Sequence, residues 1–294
     1  MSKLSISGYG DNLNINGTSL GDLSPEDHKK IEQLKGGQNY SPLENVVVSH
    51  VKDSSTLICR KPSHDNINKY IEEELLDGLC CYSAVNQGQL NQTIVNAVVH
   101  HLQKEKIPTV PRSIRHKYMS GFLLASTAFT EMDRVVPKVA GVEAWELTFK
   151  ICRRWGYEVK KIPQNECIIV GANGNFHGRS MAATSMSDDP NTRNNFGPFL
   201  SGIELVPFND YEALKNLFKE KGEYIAAFVV EPIQGEAGVI IPDDDYWPKV
   251  SQLCKEHNIL LAFDEVQTGF GRTGANFAHQ LYGVKPDIMG CGKA

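Results

Sequence analysis

Apolar positions along this chain recur with two periods, and the pattern is clearest in the second half. Over 94–102, apolar residues at 94, 95, 98, 99 and 102 return at helical spacing. They predict an amphipathic helix that Pro108 and Pro111 terminate. The helical period returns over 142–155, where Gly156 is expected to close the helix. Residues 167–171 and 203–206 are short apolar runs bounded by turn formers, which predicts buried strands. Asp210 is suited to cap a helix reaching about residue 220. A strand over 224–231, a helix over 245–257 and a strand over 259–264 follow. Strands alternating with helices predict an α/β fold with a mostly parallel sheet and crossover helices. In such sheets functional residues gather at the carboxyl ends of strands, where Glu231 and Asp264 both fall.

The first half is less patterned. Residues 1–39 read as loop with a short helix near 27–34, and 40–80 alternate only weakly around the charged run Glu72-Glu73-Glu74. Residues 112–138 favour neither period.

Composition narrows the class. At 294 residues the chain can bury a core of one large or two ordinary domains. Its 41% apolar and 22% charged content is that of a soluble globular protein. A net charge of -5 argues against a nucleic-acid surface. No apolar run approaches the ~20 residues that span a bilayer. The seven cysteines are scattered, with Cys80 and Cys81 adjacent and no C-x-x-C pair, so no metal site is expected and a reducing compartment is. Asp11, Asp22, Glu26 and Asp27 make the amino terminus unlike a secretory signal or an acid-poor presequence. The expectation is the cytoplasm, with the mitochondrial matrix as the alternative.

One stretch carries chemistry. The apolar run 259–263 ends in Asp264, a glycine-rich turn runs to Gly274, and a second apolar run, 288–292, ends in Lys293. A lysine there is less expected to be solvated than most. The layout resembles the core of the class III pyridoxal-phosphate aminotransferases, and that resemblance sets the roles.

Pyridoxal phosphate is an electron sink, and the protein must supply an amine, a partner for the ring nitrogen, a phosphate cradle and stacking surfaces. On that resemblance Lys293, otherwise a solvated surface lysine, is expected to be the amine that carries the cofactor and, once released, moves a proton at the substrate carbon. Asp264 pairs with the ring nitrogen: opposite charges ~4 Å apart attract by ~4 kcal/mol at an effective dielectric near 20, or ~3 pKa units. Glu265 points to the other face of the strand. Val266 and Phe176 are candidates for the two ring faces, though either taken singly reads equally as core. Gln267 is a candidate for the ring hydroxyl or an ordinary loop glutamine. Gly141 and Val142 begin the 142–155 helix, where backbone N–H groups can cradle phosphate; a lone glycine there is otherwise a turn.

Further segments extend the resemblance: Gly141-Val142-Glu143-Ala144, Gly174-Asn175-Phe176-His177-Gly178-Arg179, Phe196-Gly197-Pro198-Phe199 and Glu231-Pro232-Ile233-Gln234-Gly235-Glu236. Tyr82-Ser83-Ala84-Val85-Asn86-Gln87-Gly88 and Arg154-Trp155-Gly156-Tyr157 are similar to the ornithine-specific branch of that class. The resemblance implies a fold-type-I homodimer moving the δ-amino group of L-ornithine to 2-oxoglutarate. The products are glutamate and glutamate 5-semialdehyde, linking arginine catabolism to proline synthesis. It implies that Arg179 and Tyr40 grip the substrate α-carboxylate, the arginine bidentately. Tyr82 lines the pocket, Glu231 faces substrate, and Glu236 masks a second arginine. Residues 1–80 form an amino-terminal segment and 81–294 the large, cofactor-binding domain. By the same resemblance that domain is incomplete and a carboxy-terminal small domain is absent. Against the family pattern, Ala140 replaces a hydroxyl residue, Trp145 replaces a small one, and residues 58–80 and 112–135 match poorly. The alternatives are a non-catalytic fragment of the same fold, or an aminotransferase for acetylornithine or 4-aminobutyrate.

Overall fold

The computed structural model describes residues 6–7, 14–15, 18–19, 23–24, 26–27, 47–63, 65, 69–111 and 114–294. The chain divides into two units: residues 1–80 with 87–104, and residues 81–86 with 105–294. Segment 87–104, expected with the large domain, therefore belongs to the first unit.

In the first unit, β1 (Val47–Val51), β2 (Thr56–Pro62) and β3 (Tyr70–Leu76) form an antiparallel meander. This is the region whose alternation is weak: the outer strands β1 and β3 are largely exposed, so few of their positions demand an apolar residue. The helix expected over 94–102 is α1 (Gln92–Val99), continued by a π-helical turn His100–Lys104 that ends before either proline. Asn91 caps it through the N–H groups of Thr93 and Ile94. The helix expected near 27–34 lies, beyond Glu26–Asp27, outside the described residues.

In the second unit, α2 (Lys117–Thr130) occupies the stretch that favoured neither period. Next come α3 (Gly141–Glu158), β4 (Ile168–Ala172), α4 (Met181–Met186) and β5 (Ile203–Val206). They are followed by α5 (Tyr211–Lys221), β6 (Ile225–Val230), α6 (Tyr246–Glu256), β7 (Leu260–Glu265) and β8 (Ile288–Cys291). The sheet order is β8-β7-β6-β4-β5, every neighbouring pair parallel, as the alternation predicted. Asp210 caps α5 by accepting the Ala213 N–H.

Helices cover both faces. Phe228 and Val230 of β6 pack with Phe263, Phe218 and Trp247 on the α5–α6 side. Ala227 and Val229 face the other way, against Trp145, Phe149 and Cys152 of α3. The small side chains of Ala227 and Ala262 leave room for that indole. Gly156 does not close α3, which runs on to Glu158. It is buried mid-face, where a Cβ would meet Ala226 Cβ and Cys167 Sγ at 3.0 Å, so helix-to-sheet approach selects it. No helix among the described residues is long and apolar enough to cross a membrane.

Candidate active site

Parallel pairing sets Asp264 beside Gly290 and Glu265 beside Cys291, so the carboxyl ends of β7 and β8 emerge together. Lys293 stands two residues beyond β8. Its backbone is left-handed, φ 55, and its carbonyl accepts the Asn86 side-chain amide at 2.8 Å. The Asn86 side-chain Oδ1 in turn accepts from the Arg272 guanidinium. A segment 207 residues away in sequence thus fixes the lysine backbone.

A cavity of about 220 Å³ opens at this edge. Asp264, Val266, Gln267 and Lys293 line it from the β7 and β8 ends. Phe176 enters from the loop after β4, Glu231 from the residue after β6, and Gly141 and Val142 from the start of α3. Eight of the twelve residues singled out in the sequence therefore share one cavity.

The wall around Asp264 is dry and polar. His177 Nδ1 lies 2.6 Å from Asp264 Oδ2, and Asp264 Oδ1 accepts the Val266 N–H at 3.0 Å. Burial alone disfavours a charged His177. The hydrogen bond and charge of Asp264, with the field of Glu231, outweigh it and hold the imidazole above its ordinary value. Glu231 accepts the N–H of Phe176 at 3.1 Å and of Gly235 at 3.3 Å. Burial pushes its carboxyl up to about 7, His177 pulling the other way and Asp264 adding to the rise. Trp145 packs beneath: it is 1% exposed, its ring centroid lies 5.0 Å from that of His177, and a Cβ on Gly290 would come within 2.8 Å of it. Trp145 Nε1 and His177 Nε2 are buried without a partner among the described residues, and both side chains line the cavity. Unpaired buried polar atoms are costly, so this wall suits a ligand with polar groups.

Glu265 behaves as alternation predicted. It is fully buried on the opposite face and accepts Thr268 Oγ1 at 2.5 Å, Ala278 N at 2.9 Å and His279 N at 2.8 Å. It ties down the turn that carries Val266 and Gln267. At the start of α3, Ala140 offers no capping side chain, and the Glu143 carboxylate accepts the Val139 N–H at 3.0 Å. The Glu143 and Ala144 N–H groups turn back to the Ala140 carbonyl at 3.1 and 3.2 Å, whereas those of Gly141 and Val142 have no intrahelical acceptor.

The structure does not bring every expected residue to the cavity. Tyr82 and Glu236 are exposed and do not line it. The Arg179 guanidinium lies 5.8 Å from the Phe176 ring centroid, beside the cavity rather than in its wall. Tyr40 lies outside the described residues. Conversely, His177 and Asn86 carry site geometry that the sequence reading missed. Both lay inside motifs already noted, His177 between Phe176 and Gly178 and Asn86 in the 82–88 island. Among the described residues no group of His, Cys, Asp or Glu could hold a metal ion.

Comparison with known proteins bears on this geometry directly. The family description "Aminotransferase class-III" matches residues 49–294. The chain belongs to that family. It is 45% identical over 227 residues to the ornithine aminotransferase of Emericella nidulans, an alignment covering 74% of this chain and 50% of that one. The ornithine aminotransferase of Toxoplasma gondii superposes with a TM-score of 0.80 at 33% identity, covering 91% of this chain and 59% of that one. A second Toxoplasma gondii structure, TM-score 0.80 at 35% identity with the same coverage, is described with partial occupancy of pyridoxal phosphate at its active site. The chain thus spans between half and about three fifths of the length of these relatives.

The residues present fit that cofactor. An amine, a buried carboxylate–imidazole pair, two apolar side chains and a helix start converge on one cavity. The fit is least complete at the phosphate end, where Ala140 leaves only backbone donors.

Proposed function

We propose that this chain carries the cofactor-binding part of an ornithine 5-aminotransferase, acting on L-ornithine and 2-oxoglutarate to give glutamate 5-semialdehyde and glutamate. One observation carries the reading: Lys293 lines the same cavity as Asp264, Phe176 and Val266, in a chain whose relatives above are ornithine aminotransferases.

When bound, pyridoxal phosphate supplies an electron sink for charge developing at the substrate carbon. Lys293 would hold the cofactor and, once freed, would move the proton at that carbon. Asp264, oriented by His177, would keep the ring nitrogen protonated. Phe176 and Val266 would flank the ring and exclude water, and Gln267 would serve the ring hydroxyl. Its amide donates to Ser83 Oγ at 3.2 Å, which fixes its orientation. Gly141 and Val142, at the start of α3, would offer N–H groups and the helix dipole to the phosphate. Tyr40, Tyr82, Arg179 and Glu236 remain assigned to the substrate side by family resemblance, as does the homodimer. All seven cysteines are free, which suits the reducing cytoplasm or mitochondrial matrix.

The test is spectroscopic. Added pyridoxal phosphate should give a visible absorption band that is missing from Lys293→Ala, and L-ornithine but not 4-aminobutyrate should bleach it. A wild-type chain with no such band refutes the assignment; bleaching by 4-aminobutyrate alone changes the substrate.

A further inference from the structure

We propose that Glu231 is a positioning residue for the cofactor ring rather than a substrate ligand: it fixes the Phe176 loop in the cavity wall and acts by its charge on the His177 imidazole that Asp264 holds. This rests on the functional reading above and goes beyond it, because the family resemblance put Glu231 on the substrate side.

The sheet register pairs Val230 with Phe263, so Glu231 and Asp264 follow one another off neighbouring strands at the same edge. Each carboxylate then fastens one wall of the cavity. Asp264 Oδ1 accepts the Val266 N–H at 3.0 Å, and Glu231 Oε2 accepts the Phe176 N–H at 3.1 Å. The second oxygen of each is also engaged. Asp264 Oδ2 meets His177 at 2.6 Å, and Glu231 Oε1 accepts the Gly235 N–H at 3.3 Å. Glu231 is 5% exposed. A substrate group reaching it would have to displace backbone donors from a buried carboxylate, which is expensive. The same bonds make Glu231 a clamp joining the loops after β4 and β6.

The clamp is also electrical. The charged or titratable groups that line the cavity with Glu231 are His177, Asp264 and Lys293, with Arg179 beside the Phe176 ring. Asp264 bonds the imidazole directly and Glu231 acts on it through its charge, in a site where charges are weakly screened. Burial lifts the Glu231 carboxyl to about 7, so near neutral pH this cluster holds a labile proton. Losing that proton strengthens the hold on a charged His177, which in turn orients Asp264.

Two variants separate clamp from charge. Glu231→Gln keeps an acceptor oxygen for the Phe176 N–H but cannot ionise; Glu231→Ala removes both. Cofactor affinity is measured by titrating the full chain with pyridoxal phosphate between about pH 5.5 and about pH 8.5, a window that brackets the ordinary histidine value. Glu231→Ala should bind about tenfold or more weakly, the size of one lost charge-assisted hydrogen bond. Glu231→Gln should lose less than about threefold at neutral pH, yet flatten the pH dependence of affinity. The cofactor-free chain gives an independent reading. A carboxyl raised in the folded state contributes stability below its unfolded value near 4.5 and loses it as pH rises through about 7. The wild-type unfolding midpoint should therefore fall against that of Glu231→Gln across this range. Parallel profiles overturn the shared proton. Normal cofactor affinity in Glu231→Ala with a raised KM for the amino acid overturns the positioning role. Failure of the wild type to take up cofactor overturns the functional reading itself, and with it the role in holding the ring.

Discussion

The meander β1–β3 and the parallel sheet β4–β8 put strands to opposite uses. In the meander, β1 and β3 are exposed over most of their length with only a few half-buried positions, and Lys61 reaches across to Glu73 at 2.6 Å. In β6 all six residues are fully buried. An antiparallel sheet can leave its faces in water, whereas a parallel sheet joined by crossover helices is covered on both. The difference decides where chemistry can occur. At the edge of the covered sheet, Asp264 and Glu231 sit in a dry wall where a charge acts strongly on its neighbour. Charges on the meander are screened by solvent and salt.

Mutation can sharpen or break this contrast. The largest expected loss comes from truncating the covered sheet: Phe228→Ala should cost about 3–5 kcal/mol in urea unfolding, because both sides of β6 are packed. A cost below about 1 kcal/mol would show that the region is looser than its burial implies. Asp264→Ala should come close behind, at about 3 kcal/mol or more, since it leaves a buried His177 without its partner. It should also displace the visible band of added cofactor. Glu265→Gln separates scaffold from site. It should cost about 1–3 kcal/mol through the buried donors of Thr268, Ala278 and His279, while cofactor affinity changes less than with Asp264→Ala. Ala140→Ser should stabilise by about 1 kcal/mol, by capping α3 where no side chain now does so. It should also tighten pyridoxal phosphate binding more than pyridoxal binding. At the small end, Lys61→Ala should change stability by under about 1 kcal/mol and cofactor uptake not at all, the ion pair being partly exposed.

Several features of this protein could be read without coordinates because each depends on one segment at a time. The strands 167–171, 203–206, 224–231 and 259–264 announce themselves because a strand buried on both faces needs an unbroken apolar run. Asp264 and Lys293 stand out because a charged residue that closes such a run has few structural reasons to be there. The meander and α2 gave no comparable signal: half-wet strands and a helix with a scattered apolar face do not force a period on the chain.

Tertiary structure decided the rest, because it brings together residues that the chain order separates. The sheet order β8-β7-β6-β4-β5 is not the order along the chain. Only that reordering carries His177 to Asp264, 87 residues away, and sets Glu231 beside both. Gly156, expected to stop a helix, serves instead as the point where α3 meets Ala226 and Cys167. Residue type and local spacing determined which groups could do chemistry; the register of buried strands determined which of them face one another.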